Sequence, residues 1–356
     1  MKKYLLINTL TIFFISCSQP QQKDETQTSK PQFEMDSIHL NVEGLLGAYN
    51  TMVQHDKESF LGLDRIHGVV DSVNINGGGR KYDLDNLTEK YSFFHSEMRK
   101  NDGLVFLMSP LGDLAILKSN KIIKFFKLYD FLPEGQKLQV FNYGFSFLGT
   151  TDYVFFTTLN SENHQISLAK FNIESEEISF FPLPYQADAD IFRDNFLNLN
   201  DLHEGKLNIS FRNTEDILLF DVVEEDFQQI QTDFNQADED LFKYFEADYD
   251  ETDKMRTSGY YSQIISVPEQ NTHYRFFVFP QELWNNQQKA NSTIYRKFMV
   301  LKYNDDFSEC KKIELPDSIY NQISVFKYLV FNDSLYFIPK SKNEDMITLV
   351  KFKEAL

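Results

Sequence analysis

The residues best equipped for chemistry in this 356-residue chain fall in three short stretches. Asn142 and Tyr143 form the first, Arg193, Asp194 and Asn195 the second, and Arg256, Thr257, Ser258, Tyr260 and Tyr261 the third. His95 stands apart. Arg offers a bidentate fork to a carboxylate or phosphate, and Tyr offers a stacking face with a hydroxyl. Such a mixture suits an anion or a sugar. Asn142, Tyr143, Arg193, Asn195, Arg256, Tyr260 and Tyr261 are therefore the candidate ligand-binding residues. The competing reading makes them exposed polar groups or structural hydrogen bonds.

No catalytic set accompanies them. The seven histidines (His39, His55, His67, His95, His164, His203 and His273) are scattered, with no HExxH pair to hold zinc. No Gly-x-Ser-x-Gly elbow occurs, and Gly77-Gly78-Gly79-Arg80 lacks the Lys-Ser/Thr of a phosphate loop. Residues 236–253 carry eight acids and one lysine. Asp248, Asp250 and Glu251 have oxygen spacing that could meet Ca²⁺, but there is no turn Gly and no EF-hand order. A solvated inserted loop is the preferred reading. Residues 281–293 form a second inserted loop holding the single Trp, Trp284, which either stacks on a sugar or anchors the loop. No metal and no cofactor are expected.

Composition sets the frame. A formal charge of −18 argues against a nucleic-acid partner, which is bound mainly through Lys and Arg. With 42% hydrophobic residues the chain can bury a core, which excludes wholesale disorder. Two cysteines, Cys17 and Cys310, cannot build a disulfide scaffold.

The N-terminus reads as an address. Lys2 and Lys3 precede an apolar run, Tyr4 to Ile15, of signal-peptide length. Phe14-Ile15-Ser16-Cys17 resembles the lipobox of bacterial lipoproteins, with Ser16 as the small residue before the cysteine and Phe14 in place of the usual Leu. The resemblance implies cleavage after residue 16, lipidation of Cys17 and an outer-membrane location. Acyl chains on one cysteine anchor durably when there is more than one of them. Residues 17–35 are polar and read as a flexible tether. Gln22-Lys23-Asp24-Glu25 resembles the signal that sends lipoproteins of Bacteroides-type bacteria to the cell surface. Removing residues 1–16 takes away two lysines and no acid, so the mature charge moves from −18 to −20.

Residues 36–356 form the third unit, in which short alternating apolar runs dominate. Four hairpins share one form: an apolar strand, a polar turn opened by Asn120, Asn172, Asp221 or Asn304, then an alternating strand. These turn residues tolerate a positive φ and bond their own backbone. Their spacings are 52, 49 and 83 residues, the last holding one period plus the inserted loops. Four short strands per period of about 50 residues is a β-propeller blade, and extending the period both ways gives six, with five or seven in an alternative register. A β-sandwich is the competing fold and carries no such period. The last blade lacks an outer strand, and Ser37 to Val42 is a spare alternating strand that can complete it and close the ring. The expected fold is all-β: a six-bladed propeller of four-stranded blades behind a lipoprotein signal peptide.

Repeat, lipobox and hairpins ending in Pro182-Leu183-Pro184 or Leu315-Pro316 together resemble the uncharacterised six-bladed TolB-like propeller lipoproteins of Bacteroides-type bacteria. The resemblance implies a fold and a compartment. The functional expectation is a non-enzymatic envelope module binding a ligand or protein at one propeller face. The alternative is a propeller hydrolase or lyase acting on a carbohydrate or lactone, with a metal at the channel mouth.

Overall fold

A computed structural model describes residues 37–41, 49, 51–64, 69–81, 97–119, 121–139, 146–184, 197–230, 232, 250–285, 287, 289–292, 295–320, 322–339 and 346–352. Among them, 26 strands form six antiparallel sheets. The first sheet orders β2 (Thr51–Gln54), β3 (Ser59–Asp64), β4 (Val69–Asn74) and β5 (Gly79–Lys81) from inside to outside. The second has β6 (Glu97–Asn101), β7 (Leu104–Met108), β8 (Asp113–Lys118) and β9 (Lys121–Lys127). In the third, β10 (Gln136–Leu138) and β11 (Phe147–Gly149) share the inner position beside β12 (Tyr153–Asn160), followed by β13 (Ile166–Asn172) and β14 (Ile178–Pro182). The fourth has β15 (Leu197–His203), β16 (Lys206–Phe211), β17 (Ile217–Asp221) and β18 (Asp226–Ile230).

The fifth sheet again splits its inner strand, into β19 (Tyr260–Tyr261) and β20 (Ile265–Val267) beside β21 (Thr272–Val278), then β22 (Phe298–Asn304) and β23 (Cys310–Glu314). The sixth has β24 (Tyr328–Phe331), β25 (Ser334–Phe337) and β26 (Met346–Lys351), with β1 (Ser37–Asn41) as its fourth strand. β1 pairs antiparallel with β26 from Ser37↔Val350 to Asn41↔Met346. The fold is a six-bladed propeller of four-stranded blades.

Burial explains why these residues form these strands. A blade is covered on both faces by its neighbours, so its middle strands are mainly apolar, and the polar side chains they do carry must find partners inside. β3, β7 and β21 are buried at every position. Outer strands such as β9 and β18 are exposed at alternate or successive positions, and their sequences carry Lys, Asp and Gln there. The core is accordingly six wedges, one at each blade interface, rather than one centre. Phe106, Phe156 and Phe171 fill the wedge between the second and third blades. Leu40 of β1 fills the wedge between the sixth and first, with Tyr49, Phe60, Leu329 and Leu349.

The hairpin residues Asn172 and Asp221 do bond their own backbone. Asn172 Oδ1 accepts from the amides of Glu174 and Ser175, and Asp221 Oδ1 from those of Val223 and Glu224. The positive φ lies four residues on, at Glu176 and Glu225. Left-handed pairs occur instead between inner and second strands, at Asp102-Gly103, Glu204-Gly205 and Asn332-Asp333, the geometry of tight two-residue hairpins. Asn120 lies outside the described residues.

Each sheet is a four-strand meander, so all inner strands run the same way. Their starts, with the loops joining second to third strands, make one end of the ring, the upper face. The remaining turns make the lower face. There a polar bond crosses every blade interface. Lys100 donates to His55 O; Lys124 Nζ donates to Ile173 O at 2.7 Å; Lys170 Nζ donates to Val222 O at 3.1 Å and Glu225 Oε1 at 2.8 Å. His203 Nε2 meets Asp305 Oδ1 at 3.1 Å, Gln270 donates to Asp333 O, and Gln54 Nε2 donates to Asn332 Oδ1 at 3.1 Å. The last of these joins the sixth blade to the first.

Candidate functional site

Of the candidate ligand residues, Asn142, Tyr143, Arg193 and Asn195 lie outside the described residues, as do His95, Asp194, Asp248 and the lipidation residue Cys17. The third stretch is described and sits on the upper face. It begins with α1 (Glu251–Thr257), capped by Asp250, whose Oδ1 accepts from the amide of Asp253 at 2.8 Å. Asp250 thus has a helix-capping role. At the other end Ser258 Oγ donates to Lys254 O at 2.6 Å. Arg256 stands half exposed on the last turn, with Nη1 3.6 Å from Asp253 Oδ1.

The chain then enters β19 and both tyrosines turn inward; Tyr260 is 4% and Tyr261 1% exposed. Tyr261 lies under the guanidinium of Arg275, 4.5 Å from its ring centroid, and its amide donates to Arg212 O at 2.7 Å. Arg275, wholly buried on β21, donates to Ser262 O, Phe211 O, Thr214 O at 2.9 Å and Glu215 O at 2.7 Å. It binds the upper turn of the fourth blade to the fifth. A buried cation must find acceptors, and a tight turn offers several carbonyls at once. Desolvation still pulls its pKa below the ordinary arginine value.

Tyr260 is the centre of a different group. The Arg212 guanidinium sits 4.1 Å and that of Arg296 5.3 Å from its ring centroid. Arg296 is 4% exposed and its Nη2 donates to the carbonyls of Ser258 at 2.7 Å, Phe279 at 2.5 Å and Thr257 at 3.3 Å. Burial pulls the Arg296 pKa down to about 10, with Tyr260 opposing and Arg212 reinforcing the fall. Burial also raises the Tyr260 phenol, against the pull of both arginines. On the solvent side Phe326 stacks on Tyr260, with centroids 5.9 Å apart and planes 19° apart, and remains 51% exposed. Phe326 precedes β24, so this stack lies where the inner strands of the fifth and sixth blades begin.

Trp284 lies nearby in sequence, in the loop joining β21 to β22. The loop closes as a small hairpin, with Trp284 bridged to Ala290, and the indole is 54% exposed. Gln281 ties it to α1 by a hydrogen bond from its backbone amide to Thr257 O at 2.8 Å.

The structure also joins histidines that the sequence leaves far apart. His203 and His273 approach with ring centroids 6.4 Å apart on the lower face, both beside Asp305. Among the described residues no group of three His, Cys, Asp or Glu could hold a metal ion. The contributions of Arg212, Arg275 and Arg296 are not marked by motif. The one sequence signal is a cation inside an apolar strand, as in His273-Tyr274-Arg275-Phe276-Phe277.

No protein-family model matches the sequence, and no curated protein matches it. Solved structures do. A member of the DUF4221 family from Bacteroides vulgatus ATCC 8482 is similar over 91% of this chain and 98% of that one, with a TM-score of 0.65 and 14% identity. A putative exported protein from Bacteroides fragilis NCTC 9343 is similar over 90% and 96%, with a TM-score of 0.54 and 9% identity. A virginiamycin B lyase from Staphylococcus aureus covers 90% and 100% at a TM-score of 0.48 and 10% identity, too low to carry an argument. The resemblance to propellers of Bacteroides-type bacteria is met by the first two structures, and what they share with this chain is the six-bladed fold.

Proposed function

We propose that this protein is a lipid-anchored cell-envelope propeller that binds a ligand or protein partner at its upper face without chemistry of its own. One observation carries the reading: Phe326 is a large exposed aromatic, backed by Tyr260 and two guanidiniums, at the mouth formed by the inner strands. Exposed aromatics over a rigid support recur in binding sites because they lose little conformational freedom on contact. The lipobox-like Phe14-Ile15-Ser16-Cys17 and the polar tether supply the anchor and the reach.

Two measurements test this. Full-length protein purified from membranes is immobilised and loaded with native envelope extract. Phe326→Asp should lose the retained material, whereas Val223→Asp, at an exposed lower-face position, should keep it. Equal retention by both variants, or none by wild type, removes the upper face as the binding surface. Radiolabelled palmitate should enter wild type and not Cys17→Ala; equal labelling removes the anchor.

A further inference from the structure

The connection between β21 and β22 is longer than the fold requires. It runs from Phe279 to Lys297, whereas Ser109 to Gly112 joins β7 to β8 and Ser161 to Gln165 joins β12 to β13. All three lie on the upper face. The long connection is nevertheless held by many polar bonds. Asn285 N donates to Lys289 O at 2.9 Å, and Asn285 Oδ1 accepts from the amides of Gln287 at 2.9 Å and Lys289 at 3.0 Å. Asn291 N donates to Leu283 O at 2.9 Å and its Nδ2 to Glu282 O at 2.8 Å. Gln281 Nε2 donates to Ser292 O at 2.9 Å. Leu283, 8% exposed, is the buried anchor of the hairpin. Trp284 does neither job. Its indole is 54% exposed and makes no hydrogen bond, ring contact or cation contact among the described residues. Its partner across the hairpin is Ala290, whose methyl cannot cover the ring. Showing an indole to water is unfavourable, and a loop that anchored itself through Trp284 would bury it.

We infer that the Trp284 hairpin binds a neutral sugar ring. The indole face takes the apolar C–H side of a pyranose, and the indole N–H serves a hydroxyl. Gln287 stands exposed at the tip, and its side-chain amide bonds nothing among the described residues. An amide both donates and accepts, which suits a hydroxyl that does the same. Charge selects the neutral class. Glu282 and Lys289 cancel within the hairpin, and the eight acids of residues 236–253 run into α1, to which Gln281 ties it. A chain of formal charge −18 repels acidic sugars and anionic membrane. The inference adds a ligand class to the proposed upper-face binding and uses no contact of Phe326.

Trp284 is the single tryptophan, so the indole emission of the full-length protein reports this site alone. Cellobiose, lactose and chitobiose are the neutral probes, digalacturonate the acidic one, and glycerol supplies hydroxyls without a ring. At least one neutral disaccharide should shift the emission saturably, digalacturonate should bind about tenfold more weakly or worse, and glycerol should leave the emission unchanged. By calorimetry, Trp284→Ala should weaken the bound sugar at least about tenfold at an unchanged melting temperature, Trp284→Phe by less, and Gln287→Ala by about threefold. No shift from any neutral disaccharide, an equal shift from glycerol, tighter binding of digalacturonate, or undiminished affinity in Trp284→Ala overturns the inference. A shift with phosphatidylcholine vesicles and not with sugars would make the hairpin a lipid contact. Loss of envelope protein by Trp284→Ala without any sugar response would make it a protein contact; either result also overturns the inference. If the sugars fail while Phe326→Asp still loses envelope material, the sugar site falls and the binding face stands.

Discussion

His273 shows how one side chain is shaped by its place between blades. Its ring is 3% exposed and stacked on Phe307 at 4.3 Å, with Nδ1 2.9 Å from Ser266 Oγ and Nε2 3.1 Å from Asp305 O. Burial holds its pKa below the ordinary histidine value; the Asp305 contacts oppose the shift and His203 adds to it. The sign follows from proton binding. Below about pH 6.5 the unfolded chain takes up a proton that the folded ring refuses, so stability falls with acidification until the folded ring also protonates. The urea midpoint should therefore drop from pH 7 toward pH 5, and His273→Gln should flatten that slope. Parallel profiles for the two proteins would show that His273 does not contribute.

At the scale of elements, packing between blades and within them is so close that an inner and a second strand each admit only glycine at one position. A Cβ on Gly149 of β11 would lie 2.4 Å from the Phe106 ring of the neighbouring blade. One on Gly62 of β3 would lie 2.5 Å from Tyr49, whose hydroxyl donates to Asp71 Oδ2 at 2.7 Å. Both aromatic rings are buried and cannot swing into solvent. Gly149→Ala should cost about 1–3 kcal/mol in urea unfolding, the usual range for overpacking. Phe106→Leu should remove part of that cost, giving less than additive destabilisation in the double variant. Simple additivity would place the strain elsewhere.

At the scale of the whole molecule, β1 is the outer strand of the last sheet and its Leu40 is fully buried against the first blade. An antiparallel pair spanning both ends of the domain replaces an open strand edge. Leu40→Ala should cost about 2–5 kcal/mol, as for other buried leucines. Deleting residues 36–42 should lower the melting temperature further, because it also exposes β26. An unchanged melting temperature would mean that β1 does not support the ring. The polar belt of the lower face adds to this arrangement, since Gln54 and Asn332 join blades that are nearly the full domain apart in sequence.

The blades were legible because a blade is a local object. Middle strands buried on both faces read as mainly apolar runs, unbroken in β7, and Asn172 and Asp221 mark turns through bonds to amides two and three residues on. The period of about 50 residues reappears as the separation between interface partners, 49 for Lys124 to Ile173 and 52 for Lys170 to Val222. The side chains that meet at interfaces were not legible. Tyr260 and Tyr261 stand at the start of an inner strand, as expected, but whether their rings face the mouth or the next blade depends on how adjacent sheets are rotated. Arg275 reaching residues 211–215 and His203 meeting His273 depend on that same rotation, and Arg296 reaching back to Ser258 depends on how the loops of the fifth blade fold over one another. Strand identity and repeat length follow from residues close in the chain. Contacts across a wedge are decided only when six sheets pack around one axis, and that packing produced the charged and aromatic group at Tyr260.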